Sequence, residues 1–205
     1  MAVHELNCFA ERSKLAVDQF TIHNLVVEPI TVKKVNMFDA IMVGGSGDYY
    51  VSQANLPFFD QLMEFLRELC ETDKPTFASC FGYQCMVQAL GGEVIHDPDK
   101  TEVGTYKMKL TEHGERDPLF GPMGSDFFGQ MGHKDRAIEH PEGCHNLASS
   151  ELCPLQAFKI KDRPIWAAQF HPELDGAKNL ERFKSYLEGY SVYMSQKERE
   201  RTLNN

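Results

Sequence analysis

The chain lacks any apolar stretch long enough to cross a bilayer as a helix. Its N-terminus lacks a basic segment followed by an apolar one, which argues against a secretory leader. A basic excess is missing too: 21 Lys and Arg stand against 30 Asp and Glu, for a net charge of −9. Non-specific nucleic-acid binding depends on neutralising phosphates, so a chain of this sign is a poor candidate for it. The six cysteines (Cys8, Cys70, Cys80, Cys85, Cys144 and Cys153) include no Cys-x-x-Cys pair and, with the eight histidines, no zinc-ligand spacing. Cysteines scattered without a framework point to a reducing cytoplasm. There is no internal repeat and no low-complexity segment. No metal and no cofactor is expected.

What is present is an ordinary globular composition, 42% hydrophobic and 25% charged, in a length that suits one well-buried domain. Strand-like runs alternate with helical periodicities, the pattern of an α/β fold. Val3, Leu6, Phe9 and Ala10 recur at helical spacing, and Asn24 to Thr31 is β-rich. Ala40-Ile41-Met42-Val43 reads as a buried parallel strand ending at glycines. Phe59, Leu62, Met63, Leu66 and Leu69 mark one face of a helix, and Lys74-Pro75 leads into the next strand. Tyr83 to Leu90 reads as a helix that stops at Gly91-Gly92. Short strands are expected over 93–96, 105–110, 127–130, 146–149, 156–160 and 165–170, with a turn at Asp162-Arg163-Pro164. Leu180, Phe183 and Leu187 mark a closing helix that follows Asp175-Gly176 and ends at Gly189. The domain then covers 1–189. A helical or frayed tail over 190–205 carries the mixed-charge run Lys197-Glu198-Arg199-Glu200-Arg201.

Cys80 carries the most chemical information. It stands in Thr76-Phe77-Ala78-Ser79-Cys80-Phe81-Gly82-Tyr83-Gln84, between an apolar run and a helix, the sequence form of a nucleophile elbow. Ala78 and Gly82 leave room for a tight turn, and a thiol at a helix N-terminus is biased toward the thiolate. A cysteine nucleophile needs a base, and the base an orienting carboxylate. Gln169-Phe170-His171-Pro172-Glu173 can supply both, with Pro172 holding the backbone extended between them. Taken singly, a cysteine after an apolar strand is more commonly a packed core thiol, which is the reading preferred for Cys85. A lone His-Pro-Glu is more commonly a loop. Gly44-Gly45-Ser46-Gly47-Asp48, after the 40–43 strand, lacks the Lys-Ser/Thr ending of a phosphate loop, so nucleotide binding is discounted there.

In their order and spacing these three segments resemble the class I (triad) glutamine amidotransferases, over about Asp39 to Tyr186. The family's elbow reads Gly-x-Cys-x-Gly-x-Gln and its base segment His-Pro-Glu. Cys80, Gly82, Gln84, His171, Pro172 and Glu173 match, and Ala78 replaces the usual glycine. The resemblance implies a flavodoxin-like three-layer α/β sandwich. It also implies hydrolysis of the glutamine side-chain amide through a γ-glutamyl thioester. Cys80 would then attack, His171 would shuttle the proton, and Glu173 would orient the imidazole. The N–H groups of Phe81 and Gly45 would form the oxyanion hole, and Gln84 would contact the substrate. Gln130-Met131-Gly132-His133-Lys134-Asp135 resembles the His-x-Asp stretch of the amidotransferase domain of GMP synthase. By that likeness, backbone around Gly132 and His133 would bind the amino-acid end; as residues alone, His133 and Asp135 are equally a loop pair. Where the family loop is Gly-Gly-Pro followed by a Ser-Val-like pair, this chain has Ser46 and Tyr50-Val51.

The start departs from the family. A sheet of order 2-1-3-4-5 begins with a strand that lies between the second and third. This chain opens on a helix, so the first strand is expected to be absent, with Met1 an internal methionine or the strand lost. No synthase domain accompanies the motifs. The implied partners are L-glutamine or a γ-glutamyl compound and a separate synthase subunit that takes the ammonia, with no nucleic acid and no membrane. The same triad would serve a γ-glutamyl peptide hydrolase. A regulatory subunit that merely keeps the fold is a third reading, against which the intact Cys80, His171 and Glu173 set argues.

Overall fold

In a computed structural model that describes residues 2–186 and Glu200, the chain opens with α1 (Ala2–Ser13) and the single turn α2 (Val32–Val35). There follow β1 (Ile41–Val43), α3 (Phe59–Cys70), β2 (Thr76–Ser79), α4 (Phe81–Ala89), β3 (Glu93–His96), β4 (Glu102–Leu110) and α5 (Glu112–Arg116). The second half holds β5 (Asp126–His133), β6 (Asp135–Glu139), β7 (Cys144–Ser149), β8 (Ala157–Ile160), β9 (Ile165–Ala168) and α6 (Gly176–Ser185). Seven strands form one sheet in the order β1-β2-β9-β8-β7-β4-β5, while β3 and β6 pair separately. The first three are parallel, and from β9 outward every pairing is antiparallel.

Of the face read from its periodicity, Leu62, Met63, Leu66 and Leu69 of α3 are in the core and Phe59 is half-buried against it, while Phe65 is buried as well. They cluster with Met86 and Val87 of α4 and with Val43 and Ala78 of the parallel strands. Met108, Phe120, Met131, Leu147 and Phe170 form a second core under the antiparallel half. Burial of this apolar surface is what holds helices of about three turns that would be marginal alone in water. The caps agree with the sequence. Asp175 accepts the Lys178 N–H at 2.9 Å to open α6. Gly91 ends α4 at φ 89°, with the Gly92 N–H on the Val87 carbonyl at 2.9 Å.

Three expectations change. Residues 24–31 form no strand. Asn24 folds them into a turn by accepting the N–H of Val26 through Oδ1 and that of Val27 through its carbonyl, both at 3.0 Å. In a 2-1-3-4-5 sheet this segment would be the second strand, whose neighbour is the first. Among the described residues no strand precedes β1, so the segment has no ladder to join and β1 is the sheet edge, with Met42 exposed. Second, Asp135–Glu139 is a strand, because antiparallel pairing with β3 supplies hydrogen bonds that its own sequence does not advertise. Third, β4 and β5 run on from their apolar centres to the Glu102–His133 pair, through polar residues and glycines that hide the pattern. The tail expected over 190–205, with Leu187 and Gly189, lies outside the described residues apart from Glu200. Among the described residues no helix is long and apolar enough to cross a membrane.

Helix α4 meets the end of β1 through Gly82, whose N–H donates to the Gly44 carbonyl at 3.1 Å. A Cβ on Gly82 would stand 2.4 Å from the Val43 carbonyl oxygen, which is backbone and cannot rotate away. We therefore expect Gly82→Ala to lose about 1–3 kcal/mol, the usual cost of overpacking, seen as a lower urea midpoint at unchanged slope. Gly176→Ala, where an added Cβ meets nothing within 4 Å, serves as the control and should unfold at or above the wild-type midpoint.

Candidate functional site

The loops that leave β1, β2 and β9 emerge side by side at the carboxyl ends of adjacent parallel strands, where open α/β sheets place their sites. Register aligns Val43 with Ala78 and Ala78 with Ala167. The glycine loop, Cys80 and His171 therefore leave the sheet next to one another. Cys80 adopts φ 51° and ψ −107°, a backbone conformation that L residues rarely take and that costs about 1–3 kcal/mol. Its own N–H donates to Ala168 at 2.9 Å on one side, and the Gly82 N–H holds Gly44 on the other. These bonds and the packed α4 keep the strained turn in place. The positive φ falls at Cys80 and not at Ala78, so alanine there in place of the family glycine introduces no strain.

His171 is pinned through its backbone N–H to the Gln130 carbonyl at 2.9 Å. Its Nδ1 lies 2.7 Å from Glu173 Oε1, with both side chains buried. At Gly45 the glycine loop closes on this pair: a Cβ there would stand 2.9 Å from His171 Cε1 and 3.6 Å from Cys80 Cβ. Burial works against the imidazolium, but the Glu173 carboxylate and the Cys80 sulfur beside it outweigh that effect and lift His171 to about 10. Burial likewise opposes the Glu173 carboxylate, yet His171 and then Arg182 hold its pKa below the ordinary value.

Arg182 of α6 was not anticipated. Its Nη1 is 3.2 Å from Glu173 Oε1 and 3.1 Å from His171 Nδ1. The short nitrogen-to-nitrogen distance reflects two donors converging on one carboxylate oxygen, since guanidinium has no acceptor to offer. No local motif marks this arginine; only the packing of α6 against the His171 loop brings it here.

A pocket opens above Cys80, bounded by Gly45, Gly132, His171, Arg182 and Glu5 among others. Cys80 Sγ is 3.9 Å from the Gly132 carbonyl on its far wall. The Phe81 N–H heads α4, where a helix has no acceptor of its own for it. The Gly45 N–H, by contrast, donates to Glu5 Oε1 of α1 at 2.8 Å. The side chains of Gln84 and His133 lie off the pocket wall, the expectation at His133 being one of backbone contact. Gln84 is buried and donates its amide to the Asp135 carbonyl at 2.8 Å and to Gln169 at 3.1 Å. His133 is buried between Glu102 Oε2 at 3.0 Å and the Asp135 carbonyl at 3.0 Å. Both side chains hold the turn between β5 and β6 rather than facing Cys80.

Among the described residues Glu102, His133 and Cys153 offer metal-ligand atoms within 4.8 Å of one another. Glu102 is already satisfied there by His133, by Ser150 Oγ at 2.7 Å and by Gln156 Nε2 at 2.5 Å. Burial and the same carboxylate push the Cys153 thiol well up, so it stays protonated and is a poor ligand. The cluster reads as a buried carboxylate with its donors. The six cysteines are free, and Cys85 is a packed core thiol held protonated by burial.

The geometry has relatives. A family model described as glutamine amidotransferase class-I matches residues 6–183, and the chain belongs to the class I glutamine amidotransferase family. The glutamine-hydrolyzing GMP synthase of Thermosipho melanesiensis is 33% identical over 160 residues, which are 76% of this chain but 29% of that protein. One subunit of the glutamine-hydrolyzing GMP synthase of Sulfurisphaera tokodaii is 28% identical over 165 residues, 80% of this chain and 83% of that one. The chain thus spans less than a third of the first relative and most of the second. A solved glutamine amidotransferase from Thermotoga maritima shares the fold, with a TM-score of 0.73 at 16% identity over 91% of this chain and 77% of that one.

The pair's pH dependence follows from the two shifts. His171 is raised, so its stabilising contribution is complete below the ordinary histidine value and is lost as pH rises through about 10. Glu173 is lowered, so its contribution is present above the ordinary carboxylate value and is lost as pH falls through its depressed folded value. In Glu173→Gln the carboxylate's attraction is gone, and burial together with the nearby Arg182 cation outweighs the support left from Cys80. NMR titration of His171 should then show its pKa dropping from near 10 to below the ordinary imidazole value.

Proposed function

We propose that this chain hydrolyses the side-chain amide of L-glutamine to glutamate and ammonia. The observation that carries the reading is the strained Cys80 turn meeting a buried His171–Glu173 pair at the ends of neighbouring strands. The Cys80 thiolate adds to the amide carbon, and the carbonyl oxygen becomes an oxyanion facing the Phe81 and Gly45 N–H groups. His171, cationic after taking the thiol proton, returns it to the departing nitrogen, which leaves as ammonia. Water then adds to the γ-glutamyl thioester with His171 as base, the carbon–sulfur bond breaks, and the thiol is restored. Glu173 keeps Nδ1 protonated and the ring oriented throughout. Arg182, sharing the same carboxylate oxygen, keeps Glu173 ionised.

The amino-acid end of the substrate meets backbone at Gly132, on the pocket wall. Gln84 and His133 act one step back, by holding the turn that carries that backbone. Residues 1–189 act as one amidotransferase domain. Support for a separate ammonia acceptor comes from the relatives: one is a whole synthase, and another, of similar length to this chain, is one subunit of such a synthase. The ammonia passes to a synthase subunit on another chain.

Ammonia and glutamate release from L-glutamine tests this, with γ-glutamyl peptides assayed in parallel. Wild type should turn over glutamine, and Cys80→Ala should fall to background. Glu173→Gln should retain substrate binding but lose about 10⁴ in kcat, as loss of the orienting carboxylate does in comparable triads. Turnover confined to the peptides would move the assignment to γ-glutamyl peptide hydrolysis. A fully folded protein silent on both substrates would overturn it.

A further inference from the structure

Glu5 is a charged side chain in the pocket for which the reaction above has no use. It projects from the first turn of α1, and its Oε1 accepts the Gly45 N–H at 2.8 Å. That N–H is one of the two donors the oxyanion needs. The carboxylate also lies flat on the loop: a Cβ at Gly44 would meet Glu5 Oε2 at 2.6 Å and both Cδ and Oε1 at 2.7 Å. Any side chain at Gly44 would unseat it. From Gly45 the missing Cβ would find His171 Cε1, Cys80 Cβ and Glu5 Oε1 all within 3.6 Å, so the carboxylate stands beside the nucleophile and its base.

Chemically, Glu5 presents the group that glutamine hydrolysis produces: a carboxylate on a two-carbon stem, at the donor where the γ-carboxylate of product glutamate would rest. A negative charge at that point removes one oxyanion donor and repels the charge that must develop there. Space agrees. The space left above Cys80 is about 50 Å³, small beside a buried cavity of about 150 Å³ that holds a benzene. While seated, Glu5 takes up room beside Cys80 and His171 that the substrate amide needs.

The helix that carries Glu5 is held by contacts that release easily. Cys8, Phe9 and Ala10 are buried, but the polar links to the neighbouring α6 segment are surface pairs: Arg12 to Asp175 at 3.6 Å, His4 to Glu181 at 3.7 Å and Glu11 to Lys178 at 2.5 Å. Exposed pairs of this kind contribute little each. Helix α1 is thus tied to the α6 segment by weak surface pairs, and its first turn lies ahead of the buried Cys8, Phe9 and Ala10.

We propose that α1 is an autoinhibitory plug in which Glu5 occupies the oxyanion site as an internal product mimic, so that wild-type turnover is slow and rises when the start of α1 leaves the Gly44–Gly45 loop. The proposal rests on the amidotransferase reading for its meaning but not for its test, because access to Cys80 is measured separately from turnover. Glu5→Ala removes the carboxylate and favours helix. Glu5→Asp keeps the charge but is one methylene too short to reach Gly45. In the full chain, both should raise kcat/KM for L-glutamine about tenfold or more, toward the 10²–10³ that one oxyanion donor is worth. Both should also speed alkylation of Cys80 by iodoacetamide, mapped by mass spectrometry to the Cys80 peptide. Faster alkylation with no turnover of glutamine or γ-glutamyl peptide in any protein would sustain the plug and remove the glutaminase reading. Folded variants that alkylate and turn over at the wild-type rate, or more slowly, would overturn the plug and leave Glu5 a structural ligand of the glycine loop.

Discussion

Everything at the site depends on parallel pairing between strands that are distant in sequence. β2 hydrogen-bonds β1 on one side and β9 on the other, and their register sets Val43, Ala78 and Ala167 abreast. Each strand then ends in a different piece of chemistry: a glycine loop, a thiol and an imidazole. A slip of one residue in β9 would turn its side chains to the opposite face and carry His171 away from Cys80. The buried alanines Ala78, Ala167 and Ala168, all without exposed surface, make the close contact possible. The strain at Cys80 is tolerable for the same reason, since hydrogen bonds to both neighbouring segments hold the turn.

The charges at the site are arranged in alternation. Arg182 faces Glu173, and Glu173 faces His171. Each buried charge thus has an opposite partner, the condition under which ionised groups persist away from water. Glu5 adds a further carboxylate at the Gly45 amide.

Much of this was legible along the chain. The apolar run before the glycine loop, the elbow segment around Cys80 and His171-Pro172-Glu173 are local patterns, and each lies where its pattern puts it. Other features were not local. Residues 24–31 are β-rich, but a strand exists only where a partner edge is available, and an Asx-type turn took its place. Asp135–Glu139 became a strand for the converse reason, because β3 offered an edge. Gln84 was marked by motif, but its bonds to the Asp135 carbonyl and Gln169 come from segments far away in sequence. Arg182 and Glu5 sit on amphipathic helices among other charged residues, and nothing in their spacing separates them from solvent-facing ones.

The sequence by itself determined the chemistry on offer: a thiol at a strand-to-helix turn, a histidine and carboxylate two residues apart, glycines after a strand, and no framework of cysteines. These are properties of residue type and near-neighbour geometry, and near neighbours are what a chain encodes directly. Tertiary structure decided which of those groups meet and in what charge state. It set the 2.7 Å between His171 and Glu173 in a buried setting that raises the imidazole. It brought Arg182 to the same carboxylate and placed Glu5 on the Gly45 amide. Those outcomes depend on helix docking angles and strand order, which arise from burial summed over the whole core and so are not written in any single segment.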